Sequence, residues 1–297
     1  MSALPPRVVF VVRETDFERL LARHATRQQA RFFLESRGQS LAALEAAHDR
    51  YYAVLNGVRA QTPPGWRQAT APRARLDRFL FAADDVIVAV GQDGLVANVA
   101  KYLSGQLVLG VNPAPDVYDG VLMRVAPARV GATLRAAIAG DCTVEMRTMA
   151  EARLDSGERL LALNELFVGR RNHQSARYCL DVDGRGEDQS SSGVIIATGT
   201  GATGWARSIM EATSTTLALG VGEAALAYFV REPFPSIATG TSLRYGKLSG
   251  PFVRIRSQMN EDGVIFADGV EQDFLPFEWG HEVVASVADK HLRLVRN

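Results

Sequence analysis

Three short stretches of the chain carry residue types that could do chemistry. The first is Gly91-Gln92-Asp93-Gly94. A glycine-bearing turn ahead of a helix offers backbone N–H groups and the positive end of the helix dipole, which suit phosphate oxygens. A carboxylate in the middle of that turn repels phosphate, so Asp93 fits another task, accepting or orienting the proton of an attacking hydroxyl. On these four residues alone an ordinary Asp-Gly turn is the better reading.

The second stretch is Asn164-Glu165 inside LLALNELFVG. An amide and a carboxylate set in an apolar strand are costly to bury unless each finds partners, and the hydroxyls of a ribose are partners of the right kind. Strand alternation sends the two side chains to opposite faces unless a bulge or a strand end re-aims them. A surface position for Glu165 in a half-exposed strand fits the local pattern equally well. The third stretch, Gly199-Thr200-Gly201-Ala202-Thr203-Gly204, follows the apolar run GVIIAT and leads into WARSIM. It matches the G-x-G-x-x-G dinucleotide fingerprint in letters. A Rossmann reading ranks last, because the motif sits among short β-type segments, no second parallel strand clearly follows in a βαβ unit, and no acidic strand end follows about twenty residues on. What remains is a hydroxyl-bearing loop with Trp205 beside it, whose ring either stacks on a base or fills the core.

Other chemistries find no residues to carry them. G-x-x-x-x-G-K-[ST] is absent, and the five histidines show no H-E-x-x-H or paired-cysteine spacing, so no dedicated metal site is expected. Asp84-Asp85 reads as a solvated strand start, and Arg170-Arg171 with His173 as a wet hairpin loop. Lys plus Arg and Asp plus Glu both number 33. A balanced charge offers no electrostatic footprint for nucleic acid or an anionic membrane. Cys142 and Cys179 are too few and too far apart for a disulfide framework. No apolar run reaches the length of a membrane span. The opening MSALPPRVVFVVRE reads as a first strand rather than a signal peptide, so the expected location is the cytoplasm.

The elements that would position these residues follow from periodicity. Val8–Val12 and Val86–Val90 are continuous apolar runs, as in strands buried on both faces. Between about Phe17 and Ala60 the spacing is helical, with Ser40 as N-cap of a helix beginning LAALEAAHDRYYAVL, and QTPPGW breaks it. After Gly91-Gln92-Asp93-Gly94, LVANVAKYL has helical spacing and LVLGV is a further buried strand, so a parallel α/β sheet is implied, with ligands beyond the carboxyl ends of its strands. Beyond about residue 125 a helix at VGATLRAAI gives way to short alternating segments with Asp183-Gly184 and Asp262-Gly263 turns, an all-β texture. The expected organisation is an α/β domain over residues 1–125, a β-sandwich over 126–275, and a C-terminal segment, 276–297, packing back on the first domain.

Taken in order, Gly-x-Asp-Gly after a parallel strand, then Asn-Glu, then a Thr-Gly loop ending in an aromatic resemble the NAD kinase family. The likeness runs over essentially the whole chain. VVRETDFERLLARH, LNELFVGRRNHQSARYCLDVDG, SSSGVIIATGTGATGWARS, LAYFVREPF and VRIRSQMNEDGVIFADG are similar to its mitochondrial-type branch. That branch has Trp where Trp205 stands and other members have Tyr.

The resemblance implies a Rossmann-like α/β domain, of the kind shared with phosphofructokinases and diacylglycerol kinases, plus an all-β sandwich, with the active site between them in a homodimer. It implies phosphorylation of the 2′-hydroxyl of the adenosine ribose of NAD by ATP and Mg2+. Asp93 would take or orient the hydroxyl proton, and Asn164 and Glu165 would hold the NAD ribose. Thr200, Thr203 and Trp205 would line the nucleotide pocket, while Gly91, Gln92 and Gly94 would meet the donor phosphates. Where the family has Gly-Gly-Asp-Gly-Thr, this chain has Gln92 and Leu95, and Ala202 replaces a polar residue. A left-handed backbone at Gln92 would cost about 1–2 kcal/mol. A dinucleotide-binding protein without turnover and, further off, a lipid kinase are therefore the alternatives.

Overall fold

The computed structural model describes residues 5–296; the first four residues of the expected opening segment lie outside them. Contacts divide the chain into two compact units, one comprising Met1–Glu145 with the chain end from Arg293, the other Met146–Leu292.

In the first unit, β1 (Arg7–Val12) is followed by three helices, α1 (Asp16–His24), α2 (Arg27–Glu35) and α3 (Leu41–Ala60). The expected helical stretch is thus broken twice. Thr15 caps α1 through a capping box with Glu18, and Thr26 caps α2, so the first break is placed by a hydroxyl that accepts a first-turn N–H. Ser40 starts α3 in extended conformation without a side-chain cap bond. Then come β2 (Arg67–Pro72), β3 (Val86–Val90), α4 (Asp93–Ala100), β4 (Leu107–Val111) and α5 (Val130–Ala139).

The strands form a parallel sheet in the order β2-β1-β3-β4, extended at its edge by Arg293 and Leu294, which pair in parallel with β4. All of β3 is buried, as its apolar run requires. Val8, Phe10, Val86, Val88, Leu109 and Val111 share one core with Tyr51, Leu55 and Val58 of α3 and with Val130 and Leu134 of α5, while α4 packs on β1, β3 and β4. The first unit therefore takes in α5, which the sequence texture had assigned to the second, because its apolar face completes this core.

The second unit holds β5 (Thr143–Leu154, its first residues belonging to the first unit), β6 (Arg159–Ala162), β7 (Glu165–Arg170), β8 (Ala176–Val182), β9 (Arg185–Ser191), β10 (Val194–Ala197), α6 (Trp205–Ala212), β11 (Ala227–Val230), β12 (Tyr245–Lys247), β13 (Phe252–Ser257), β14 (Gly263–Ala267), β15 (Val270–Pro276) and β16 (Glu282–Arg296). One antiparallel sheet runs β12-β11-β10-β7-β14-β15; in the other, β13 lies between β8 and the first part of β16, and β9 pairs with β8. Leu166, Val168, Val194, Ile196 and Ile265 meet Tyr178, Leu180, Val253, Ile255 and Val283 across a shared core, which makes this unit a β-sandwich. On the opposite face of the first sheet, Phe167, Ile195, Ala197 and Phe229 pack with Ala206 and Trp205 of α6.

Two Asp-Gly hairpins shape this unit: Asp183 and Asp268 take positive φ (54° and 53°) and their glycines follow at 79° and 68°, the backbone of a two-residue turn matched to strand twist.

Asp85 is not the solvated residue expected from Asp84-Asp85. It is 2% exposed and its two oxygens accept from Arg7 Nε (2.7 Å) and Nη2 (2.6 Å), with the Ala82 N–H as a third donor at 2.8 Å. Asp85→Ala strips a buried, bidentate pair of one partner, and urea denaturation should show a loss of about 3 kcal/mol. A loss within error would mean that this pair does not anchor β1 to β3.

Candidate functional site

In the first unit the turn after β3 is tightly built. Gly91 donates its N–H to the Val111 carbonyl at 3.0 Å, and a Cβ on Gly91 would lie 3.0 Å from Leu95 Cδ2. Leu95, where the resembling family has Thr, is buried beneath the turn and is one reason the first glycine is needed. Gln92 is the residue preceding α4, with φ −113° and ψ 168°. This is extended backbone that any residue adopts, so the left-handed strain considered for Gln92 does not arise. Gly94 is exposed, and a Cβ there would meet nothing within 4 Å. The fold does not require a glycine at that position, and the space over it is open to a ligand.

Asp93 opens α4 and does not face that space alone. Its Oδ2 accepts the Val121 N–H and its Oδ1 accepts the Leu122 N–H, both at 2.9 Å. The carboxylate thereby fixes the loop after β4, whose Leu122 carbonyl lies 2.1 Å from where a Cβ on Gly110 would stand. Each oxygen keeps a lone pair for a further donor.

In the second unit Asn164, Glu165, Thr200 and the glycines around them come together. Asn164 precedes β7 and Glu165 is its first residue, so strand alternation is not yet imposed between them. Their backbone is clamped by Asp268: its Oδ1 accepts the Asn164 N–H at 2.7 Å, its Oδ2 accepts the Leu163 N–H at 3.1 Å, and its own N–H donates to the Glu165 carbonyl at 3.0 Å. Thr198 completes the frame. Its hydroxyl donates to the Leu163 carbonyl at 2.5 Å and accepts from the N–H groups of Thr200 and Gly201. A Cβ on Gly201 would stand 2.1 Å from the Asn164 carbonyl, and one on Gly199 2.0 Å from that of Gly220. These two glycines are there so that backbones can touch, not for a dinucleotide fingerprint. β10, which leads into them, is antiparallel to both neighbours, β7 and β11, which removes the Rossmann reading on geometry.

Glu165 is 7% exposed. Burial first, and then the nearby Asp268 carboxylate, push its carboxyl up to about 8. It is therefore largely protonated at neutral pH, a donor as well as an acceptor. Thr200 is buried and its hydroxyl accepts from Nη1 of Arg147 at 3.2 Å; Arg147 is itself fully buried. Thr203 is exposed, with its hydroxyl donated to the Thr200 carbonyl at 2.8 Å. Trp205 lies apart from this cluster. Its ring is parallel to Phe167 (centroids 6.1 Å apart) and carries the Arg231 guanidinium over it at 5.2 Å. With Phe266, Arg170 and Arg171 these residues line a cavity of about 320 Å³ that Asn164, Glu165 and Thr200 do not line.

Arg147, Thr198 and Asp268 were not singled out by sequence. Asp268-Gly269 carried a readable hairpin signal, but nothing in it indicates that the side chain reaches back to another strand. Arg147, in CTVEMRTM, carries no signal at all.

No family model matches the chain. Over 128 residues it is 30% identical to an NAD kinase of Chlorobaculum tepidum (strain ATCC 49652 / DSM 12025 / NBRC 103806 / TLS), a stretch covering 42% of this chain and 44% of that protein, so the match spans less than half of the relative. Two solved structures superpose on nearly the entire chain. One is a yeast NADH kinase complexed with NADH (TM-score 0.60, 17% identity, 99% of this chain and 84% of that one). The other is an NAD kinase from Archaeoglobus fulgidus in complex with ATP (TM-score 0.60, 20% identity, 98% and 94%). This chain has the fold of the NAD and NADH kinases.

The raised Glu165 carboxyl sets the sign of a pH effect. The folded state holds this proton up to about pH 8, whereas the unfolded chain releases it near its ordinary value, about 4.3. Its contribution to stability is therefore full below the unfolded value and is lost as pH rises through the folded one. Glu165→Gln should melt close to wild type at pH 5 and progressively above it toward pH 9. A melting difference that stays constant between those pH values would contradict a protonated Glu165.

Proposed function

We propose that this chain is an NAD kinase, transferring a phosphoryl group from ATP to the 2′-hydroxyl of the adenosine ribose of NAD to give NADP. The observation that carries the reading is Glu165, a buried carboxyl beside Asn164 that burial pushes up to about 8, set where a Thr-Gly turn touches the Asn164 backbone. A neutral carboxyl next to an amide offers both donors and acceptors to a vicinal diol without bringing a charge into an apolar wall. The Chlorobaculum relative is an NAD kinase, and the fold matches are proteins bound to NADH or to ATP, which supports the same two ligands here.

In this proposal Asp93 accepts or orients the proton of the attacking hydroxyl, using the lone pairs that the Val121 and Leu122 N–H groups leave free. Asn164 and Glu165 hold the ribose, and Thr200 and Thr203 border the nucleotide. Trp205, which lines the separate cavity, is assigned to the outer part of the dinucleotide. Gly91, Gln92 and Gly94 face the donor phosphates at the start of α4. Among the described residues no group of three His, Cys, Asp or Glu could hold a metal. Mg2+ would accompany the donor and would supply charge neutralisation on its phosphates.

No helix among the described residues is long and apolar enough to cross a membrane. A homodimer in the cytoplasm is part of the same proposal, and light scattering of the purified chain checks the dimer. The unstrained backbone of Gln92 supports an active kinase over a binding module that has lost turnover.

Purified chain with NAD, Mg2+ and ATP should yield NADP; no product with ATP, other triphosphates or polyphosphate, from correctly folded protein, overturns the proposal. Asp93→Asn should lower kcat by at least about 10²-fold while leaving NAD affinity intact. Because Asn keeps only one acceptor for the two loop N–H groups, a melting curve must accompany it, and an unchanged rate refutes the role of Asp93.

A further inference from the structure

The carboxyl edge of the parallel sheet holds two arginines that none of the roles above uses. The sheet order β2-β1-β3-β4 has a reversal between β1 and β3: the chain moves from β1 to β2 on one side, then crosses to β3 on the other. Open parallel sheets take their ligands at the carboxyl ends on either side of such a reversal. Arg13 follows the last residue of β1, and Arg73 follows the last residue of β2. Since Val12 pairs with Pro72, and Val11 with Ala89, Arg13 stands abreast of Arg73 on one side and of Gly91 on the other. The Cβ position of Gly91 is 3.8 Å from Arg13 Cδ.

The two strand ends are joined by a buried hydroxyl. Tyr51 accepts the Arg13 N–H and donates to the Val90 carbonyl, both at 3.3 Å, so one side chain ties the two strand ends that flank the reversal. Neither guanidinium is spent on a carboxylate. Among the described residues Arg13 and Arg73 form no ion pair, and Arg13 Nε is buried without a hydrogen-bond partner, whereas the neighbouring Arg19 is paired with Asp16. Burial, and then the charges of Arg19 and Arg13, pull the Arg73 guanidinium below its ordinary value, which is how a cationic cluster without its anion behaves. Asp93, the acidic residue of the motif, is turned to two backbone N–H groups and, among the described residues, forms no ion pair with either arginine. The first-turn N–H groups of α4 and the open space over Gly94 lie at the same edge.

We propose that Arg13 and Arg73 bind the phosphoanhydride chain of the phosphoryl donor, one guanidinium from each of two adjacent strands. The inference rests on the phosphoryl-transfer reading, and names side chains that hold the donor where Gln92 and Leu95 leave the glycine-rich turn with fewer contacts. Neighbouring strands lie about 4.8 Å apart, so the two forks address an extended polyanion rather than one carboxylate. Arg is suited to this by its fixed planar array of donors.

The test is calorimetry on the full chain with Mg2+ and inorganic tripolyphosphate, ATP, long-chain polyphosphate and NAD, each alone. Wild type, Arg13→Gln, Arg13→Lys and Arg73→Gln are compared, with melting curves for all. Each Gln variant should weaken tripolyphosphate binding by about tenfold, the worth of one charge-assisted bond, with NAD affinity unchanged and Arg13→Lys intermediate. ATP binding tighter than tripolyphosphate identifies a nucleoside triphosphate as the source of the chain; equal or tighter polyphosphate binding identifies the inorganic polymer. Absence of tripolyphosphate binding by wild type, or undiminished binding by both Gln variants, overturns the inference, as does a loss that extends equally to NAD. Arginine-dependent tripolyphosphate binding without NADP formation leaves it standing while removing the kinase reading.

Discussion

A carboxylate that gathers two consecutive backbone N–H groups is the interaction on which both candidate regions depend. In the second unit Asp268 binds the N–H groups of Leu163 and Asn164; in the first, Asp93 binds those of Val121 and Leu122. Charge-assisted bonds of this kind are about twice as strong as neutral ones, and each fixes an irregular segment that no strand ladder could hold. Without Asp268 the chain before β7 would lose its direction, and Glu165 would follow ordinary strand alternation. The cost of that clamp is visible beside it: the charge of Asp268 helps keep Glu165 protonated.

Glycine acts in concert with these clamps. Gly199 and Gly201 let the turn after β10 press against the carbonyls of Gly220 and Asn164, and Thr198 bonds to both sides of that contact. The region is rigid because backbone meets backbone, with little side-chain freedom left to freeze. A site of this type is preorganised by its fold and asks little ordering of a ligand.

Much of the fold was legible because its signals are local. The runs at Val8–Val12 and Val86–Val90 are buried strands, Asp183-Gly184 is a hairpin, and the all-β texture after the first unit is a sandwich. β2, half-exposed, polar and ending in Pro72, escaped because an edge strand needs no apolar run, and β9, with RGEDQSS, escaped for the same reason. Asp93, Asn164 and Glu165 were readable as residue types in a familiar order. The clamp by Asp268, the buried Arg147 and the arginines at the sheet edge were not, because each arises from residues distant in sequence whose neighbours are set only by sheet register.

The first unit is not continuous in sequence. One strand of its sheet comes from residues that follow the second unit, where Leu294 and Val295 are fully buried and Arg293 and Leu294 pair with β4. During synthesis the residues up to Glu145 must wait for those last few with a core open on one side and the ladder groups of β4 unpaired. Such an edge invites pairing with other chains. A fragment stopped after α5 is therefore a poor stand-in for this unit, and removal of residues 293–296 would be felt first at β4, the strand that leads into the loop gripped by Asp93.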